Sequence, residues 1–325
     1  MIEKLRRHLT ELTEIRPYRN WLNHASLETA ATYIESEFIG YGFSVSRQKW
    51  NVGNFEYENI IAAYRPELEK RLIIGAHYDV YDKQPGADDN TSGVAGLLFL
   101  AEEIAKEKPD LPYGIDFIGY CLEEPPHFGT KNMGSYVHAK SLKDNKVSTV
   151  GMICLDMIGF YSDEPNSQTY PLSGLEKQYP TIGNYIGVVG INAHKSFSKQ
   201  VYTIMQAANE IDVQLFNFPS NNGLAGLSDH RNYWHFGYDA VMINDTAKYR
   251  NPNYHKITDT VASLDLDKMA ATIRSLKRVL LTPLIEKEER PESVPPQKEP
   301  YQPQPDRISF IQRFFEWLKK LFSRS

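Results

Sequence analysis

A chain of 325 residues with 41% hydrophobic content is long enough to bury one large α/β core or two smaller ones, which excludes disorder of the whole chain. A formal net charge of -5 supplies no global basic field, which argues against a general nucleic-acid binder and for small molecules or peptides as partners. The two cysteines, Cys121 and Cys154, each lie in a strand-like apolar run; they cannot build a disulfide framework and read as reduced, packed thiols.

The stretch MIEKLRRHLTELTEI is charged and amphipathic, without the continuous apolar core of a secretory signal. No run reaches the roughly 18 apolar residues of a spanning helix, so the expectation is a cytoplasmic catalytic body. Apolar residues recur at helical spacing in EKLRRHLTELTEI and LETAATYIESEFIGYGF, with Gly40 and Gly42 as stops. SVSRQKWNV and YENIIAAY alternate as strands, KRLIIGAHYD reads as a buried strand, and TSGVAGLLFLAEEIAKE opens on a Thr/Ser cap before a helix. The rhythm continues through strand YGIDFIGYCLEE, helix NMGSYVHAKSLKD, strand VSTVGMICLDMIG, helix KSFSKQVYTIMQAANEI, strand DAVMINDT and a closing helix LDKMAATIRSLKRVLLTPLIEKEE. Strands alternating with helices predict a three-layer α/β/α sandwich around a mixed, mostly parallel sheet, its early strands free to pair antiparallel.

This catalytic domain is expected over residues 1–289. The following RPESVPPQKEPYQPQPD, within 290–306, is rich in proline and polar residues and reads as an extended linker. In 307–325, large aromatics and aliphatics from Ile308 to Phe322 share one helical face, while Arg313, Lys319 and Lys320 lie on the other. Such a basic amphipathic helix suits peripheral contact with the inner face of a membrane, docking on the catalytic body, or self-association.

Carboxylates and imidazoles gather at the ends of successive predicted strands: His77 and Asp79, then Asp88 and Asp89 in the loop GADDNTSG, then Glu123 and Glu124, then Asp156. Open α/β sheets keep their ligands at that edge. Like charges crowded together raise one another's pKa, so so acidic a cluster calls for cations. Mixed carboxylate and imidazole donors suit zinc, with manganese or cobalt compatible with the same set. A further imidazole comes from His255 in NDTAKYRNPNYHKITDT, whereas His8, His24, His138, His194 and His235 sit in helical or surface contexts.

In order along the chain, GAHYD, GADDNTSG, LEEPPHFGT with MGS, LDMIG, SDH and YHKITDT resemble the zinc aminopeptidases of metallopeptidase family 28, which include bacterial leucyl aminopeptidases. The resemblance spans about residues 20–280. It implies a two-zinc exopeptidase acting on peptides with a free amino terminus. His77 and Asp156 would bind one metal, Glu124 and His255 the other, with Asp88 bridging and the bond after the bridging acid commonly cis. Asp79 would orient the His77 imidazole, and Glu123 would be the general base that takes a proton from the shared water and passes it to the leaving amine. Tyr249 is a candidate hydrogen-bond donor to the tetrahedral intermediate, and Asp229 and His230 of SDH read as loop-ordering residues. The prolines and His127 in EEPPHFGT depart from the glycine-rich turn of many members, which puts substrate choice in doubt.

Other readings stay open: a carboxypeptidase or deacylase on the same two-metal chemistry, a glutaminyl cyclase, or a membrane-associated module without turnover. A cyclase on a similar fold binds one zinc and lacks the full second ligand set. An inert module would have lost a ligand or the base.

Overall fold

The computed structural model describes residues 1–221 and 223–285. Their elements are α1 (Ile2–Thr13), α2 (His24–Gly40), β1 (Ser44–Val52), β2 (Phe55–Tyr64), β3 (Arg71–His77), α3 (Gly93–Glu107), β4 (Gly114–Tyr120), α4 (Gly134–Asp144), β5 (Thr149–Leu155), β6 (Ile186–Ile191), α5 (Lys195–Ala208), β7 (Val213–Phe218), α6 (His230–His235), β8 (Ala240–Asn244) and α7 (Leu266–Leu280). The eight strands form one sheet in the order β1-β2-β4-β3-β5-β8-β6-β7. β4, β3, β5 and β8 run parallel at its centre. β1, β2 and β4 pair antiparallel in succession, and β6 enters antiparallel to β8.

Side chains alternate along each central strand. Leu72, Ile74, Ile115, Phe117, Ile153, Leu155, Val241 and Ile243 pack into one core with α1, α2, α3, α5 and α7. Ile73, Ile118, Met152, Cys154 and Met242 pack into the other, beneath α4 and α6. A period of two with both faces covered explains why these strands read as continuous apolar runs. α1 shows the helical counterpart: Leu5, Leu9 and Leu12 are buried on one stripe, each contributing roughly 1.5–3 kcal/mol by leaving water. Both cysteines are free and buried.

Three elements were not legible. β6 carries two glycines in IGVVGI, β7 is half-buried without a clean alternation, and α6 has only 6 residues, too few to show a helical period. The closing helix is shorter than its pattern. It ends at Leu280, two residues before Thr282 and Pro283, because proline cannot donate to the ladder and excludes helical geometry before it. The boundary at 289, the linker 290–306 and the segment 307–325 lie outside the described residues. Among the described residues, no helix is long and apolar enough to cross a membrane.

Candidate metal centre

β3, β4 and β5 end at the same edge of the sheet, and their next residues converge there. His77 is the last residue of β3, Glu123 and Glu124 follow β4, and Asp156 follows β5. The His77 Nε2 lies 3.5 Å from Asp89 Oδ1, 3.8 Å from Glu123 Oε2 and 3.8 Å from Asp156 Oδ1. The loop beyond β8 returns His255, whose Nε2 lies 3.1 Å from Asp89 Oδ2 and 3.4 Å from Glu124 Oε1. Three overlapping groups result: His77 with Glu123 and Glu124, His77 with Asp89 and Asp156, and Asp89 with Glu124 and His255. The donor atoms within each lie within 4.8 Å of one another.

The bridging acid is where the sequence expectation needs correcting. Asp89, not Asp88, faces both imidazoles. Asp88 is turned the other way: its Oδ1 accepts from the Gly159 N–H at 2.9 Å and its Oδ2 from Asn251 Nδ2 at 2.7 Å. Neighbouring residues on a turn present opposite sides, so the spacing in GADDNTSG could not choose between the two acids. The peptide bond after Asp89 is cis.

The loop is held from several directions. The Asp259 carboxylate accepts from the Asp88 and Asp89 N–H groups at 2.9 and 3.1 Å. Asn90 donates to the Leu155 carbonyl and accepts from the Gly93 and Met157 N–H groups, tying the loop to the end of β5. Gly93 is required there, since a Cβ would overlap Asn90 Oδ1 and come within 2.5 Å of the Leu155 oxygen. Buried Arg19 donates to the carbonyls of Tyr78, Pro85 and Gly86 and to the Thr91 hydroxyl, spanning both ends of the loop. Nothing in RPYRNW marks Arg19 for this role; it is legible only once the chain has folded.

Asp79 orients more than an imidazole. The His77 Nδ1 lies 3.1 Å from the Asp79 backbone oxygen and 3.6 Å from its carboxylate. That carboxylate accepts from the N–H groups of Glu123 and Glu124 at 3.1 and 3.0 Å. One acid thus fixes the His77 imidazole and the backbone of the adjacent glutamates.

The electrostatics are those of a site short of positive charge. Burial works against protonated His77 and His255, but Glu123 and the neighbouring acids raise the first well above its ordinary value, and Glu124 and Asp89 raise the second to about 9. Burial likewise pushes Asp89 upward, and the neighbouring His255 and His77 imidazoles overcome it and hold the carboxyl far below its usual range. The acids behind the loop have no such partners: burial pushes Asp88 up to about 6 and Asp259 up to about 8. His77 Nε2, both Asp89 oxygens and His255 Nε2 are buried and make no hydrogen bond. Unsatisfied buried donors of this chemistry, converging from the connections after β3 and β8, fit a divalent cation site.

Beside Asp156 and Met157 opens a cavity of about 210 Å³. Its walls are largely apolar, including Phe128, Val189, Phe216, Phe218, Met242 and Tyr254, with Arg231 and Lys248 also lining it. Tyr249 is in this wall, with Lys248 Nζ 5.4 Å from its ring centroid; burial pushes its hydroxyl up to about 12. His230 Nε2 donates to the Ala225 carbonyl at 2.7 Å and orders the neighbouring loop, while Asp229 is fully buried at the start of α6.

The Escherichia coli protein YfbL is 39% identical over 280 residues, covering 84% of each chain. The aminopeptidase YwaD of Bacillus subtilis is 24% identical over 243 residues, 73% of this chain and 47% of its own. The LapA aminopeptidase of Legionella pneumophila superposes with a TM-score of 0.67 at 19% identity, covering 86% of this chain and 70% of LapA. A glutaminyl cyclase of Bacteroides thetaiotaomicron does so with a TM-score of 0.65 at 18% identity, covering 86% and 97%; at such identities the superpositions establish a common fold. The model of peptidase family M28 matches residues 59–280, and with the identity to YfbL this shows that the chain belongs to peptidase family M28.

Proposed function

We propose that the protein is a metal-dependent aminopeptidase, with two zinc ions held in the centre and Glu123 as its general base. The observation that carries this reading is the placement of Asp89, whose two oxygens face two separate imidazoles, each accompanied by a further carboxylate. In this reading His77 and Asp156 hold one cation, Glu124 and His255 the other, and Asp89 both. Bound there, the pair would offset the carboxylates, lower the pKa of water and polarise the scissile carbonyl.

The residues of the chain supply the rest. Glu123 is wholly buried and its backbone is pinned by Asp79, so it accepts a proton from the attacking water and hands it to the leaving amine without reorganising. The acid-rich centre suits a free ammonium or amine at the substrate's amino terminus, and the adjoining apolar cavity suits the side chain of that first residue. A glutaminyl cyclase is the second reading, favoured by the fold shared with the Bacteroides enzyme. The full donor set around Asp89 weighs against a one-zinc site.

The test is hydrolysis of aminoacyl anilides with free amino groups beside their acetylated counterparts, before and after chelation and zinc readdition. Chelator-sensitive cleavage of the free amines alone is expected. Cleavage of the acetylated series, or cyclisation of amino-terminal glutamine in its place, would overturn the assignment.

A further inference from the structure

The two histidines of the centre are held by different means. His77 is fully buried, its Nδ1 facing both oxygens of Asp79 that are within reach. That is the usual arrangement, in which the second ring nitrogen of a metal-binding imidazole is fixed by an oxygen acceptor. His255 is more open, at 12% side-chain exposure, and its Nε2 faces Asp89 and Glu124. Among the described residues no hydrogen bond reaches its Nδ1.

Aromatic rings take that place. Tyr81 lies parallel to the imidazole with centroids 4.1 Å apart and planes at 4°. Tyr254 lies 3.9 Å away with planes at 17°. Two parallel rings so close to a third cannot share a face, so His255 is sandwiched between them. The clamp draws on separate parts of the chain: Tyr81 belongs to the loop that follows His77 at the end of β3, and Tyr254 to the loop after β8. Tyr254 also lines the cavity beside Asp156. The His255 backbone takes a left-handed conformation, φ 58°, which non-glycine residues adopt rarely; the ring is thus presented by a turn and needs lateral support to keep its plane.

We propose that Tyr81 and Tyr254 are positioning residues that fix the plane of the His255 imidazole, as Asp79 fixes that of His77. Removing either ring loosens the cation held by His255, Glu124 and Asp89 and leaves the His77 and Asp156 half of the centre intact. The proposal rests on the two-metal reading above.

The experiment is titration of cobalt(II) into the metal-free full-length protein, followed by visible d–d absorption and chelator competition. Wild type is expected to bind two equivalents. Tyr81→Leu and Tyr254→Leu should weaken one of the two steps by roughly 10-fold or more, the range seen when support of a metal-binding imidazole is lost. The other step should stay unchanged, and Tyr81→Phe and Tyr254→Phe, which keep the rings, should bind within about twofold of wild type on the same reasoning. Two unshifted steps in both leucine variants would overturn the clamp. So would equal weakening of both steps accompanied by a lower urea midpoint of the metal-free protein, which marks a merely structural role. A wild type that binds fewer than two equivalents would instead overturn the two-metal reading, and the clamp with it.

Discussion

Asparagine substitutions at the neighbouring acids of the metal loop, one at a time, test the corrected assignment of the bridge. Asp89→Asn keeps the shape of a side chain whose oxygens lie 3.5 Å from His77 Nε2 and 3.1 Å from His255 Nε2. It replaces one of those oxygens by an N–H donor, so it can serve only one half of the centre. What is lost is one carboxylate charge beside each cation, and at an effective dielectric constant of about 20 a pair of unit charges about 4 Å apart interacts by about 4 kcal/mol. Relaxation and entering water reduce this, and an affinity loss of about 100-fold remains, equivalent to about 2.8 kcal/mol at 1.4 kcal/mol per tenfold. Asp88→Asn acts differently. Its amide keeps the bond from Gly159 but turns an N–H toward Asn251 Nδ2, itself a donor. One lost hydrogen bond costs about 1–2 kcal/mol of folding stability. Chelator competition with cobalt and metal analysis of the purified proteins would measure the first effect, and urea unfolding the second. An Asp88→Asn protein missing one metal equivalent, beside an Asp89→Asn protein that binds like wild type, would refute the assignment.

Glu123→Gln should retain metal and lose turnover by about 10²–10⁴-fold; retained turnover would remove Glu123 as the base. Gly93→Ala should destabilise the protein by about 1–3 kcal/mol through overpacking against Asn90 and the Leu155 carbonyl, and an unfolding midpoint equal to wild type would refute the tight packing of the loop. His138 is buried against the Tyr233 hydroxyl, and burial depresses its pKa to about 4. Its neutral form is favoured only in the fold, so its contribution is present above the unfolded value of about 6.5 and is lost as pH falls through about 4. The stability gap between wild type and His138→Gln should therefore narrow by at most about 3 kcal/mol over that window. The buried acids Asp88, Asp229 and Asp259 titrate in both proteins and drop out of the difference; a gap independent of pH would refute the burial argument.

Much of the architecture and of the site was written in local pattern. Strands buried on both faces announce themselves as apolar runs, and an acid or histidine placed directly after such a run marks the functional edge of the sheet. That is how His77, Glu123, Glu124 and Asp156 were singled out and why the structure finds them together. His255 needed more, since its loop has no periodic signal: it was singled out as the further imidazole beyond the strand DAVMIND, and the ordered resemblance then gave it a role. The choice between Asp88 and Asp89 was illegible because it depends on which way one turn faces, fixed by Asp259, Asn251 and Gly159 from distant parts of the chain. The aromatic support of His255 was equally hidden. Tyr81 and Tyr254 are 173 residues apart by subtraction of their numbers, and neither sits on an element with a period to read.

Charge explains why the centre also needs a residue that touches none of its donors. If two divalent cations are bound, their four positive charges match the four carboxylates Asp89, Glu123, Glu124 and Asp156, and Asp79 remains as an unmatched buried acid. Arg19 supplies the balancing charge. Its guanidinium is buried, and among the described residues it donates to carbonyls and a hydroxyl and to no carboxylate. Burial lowers its pKa only to about 10, because Asp79, Asp259 and Asp89 oppose the shift, so it remains cationic at neutral pH. A buried cation without an ion-pair partner is costly in isolation, and a cluster of acids without cations is costly for the same reason. Each lessens the cost of the other across the end of β3. The hydrogen bonds of Arg19 meanwhile hold the loop that carries Asp89, so the charge that tolerates the acids and the geometry that aims them come from one side chain.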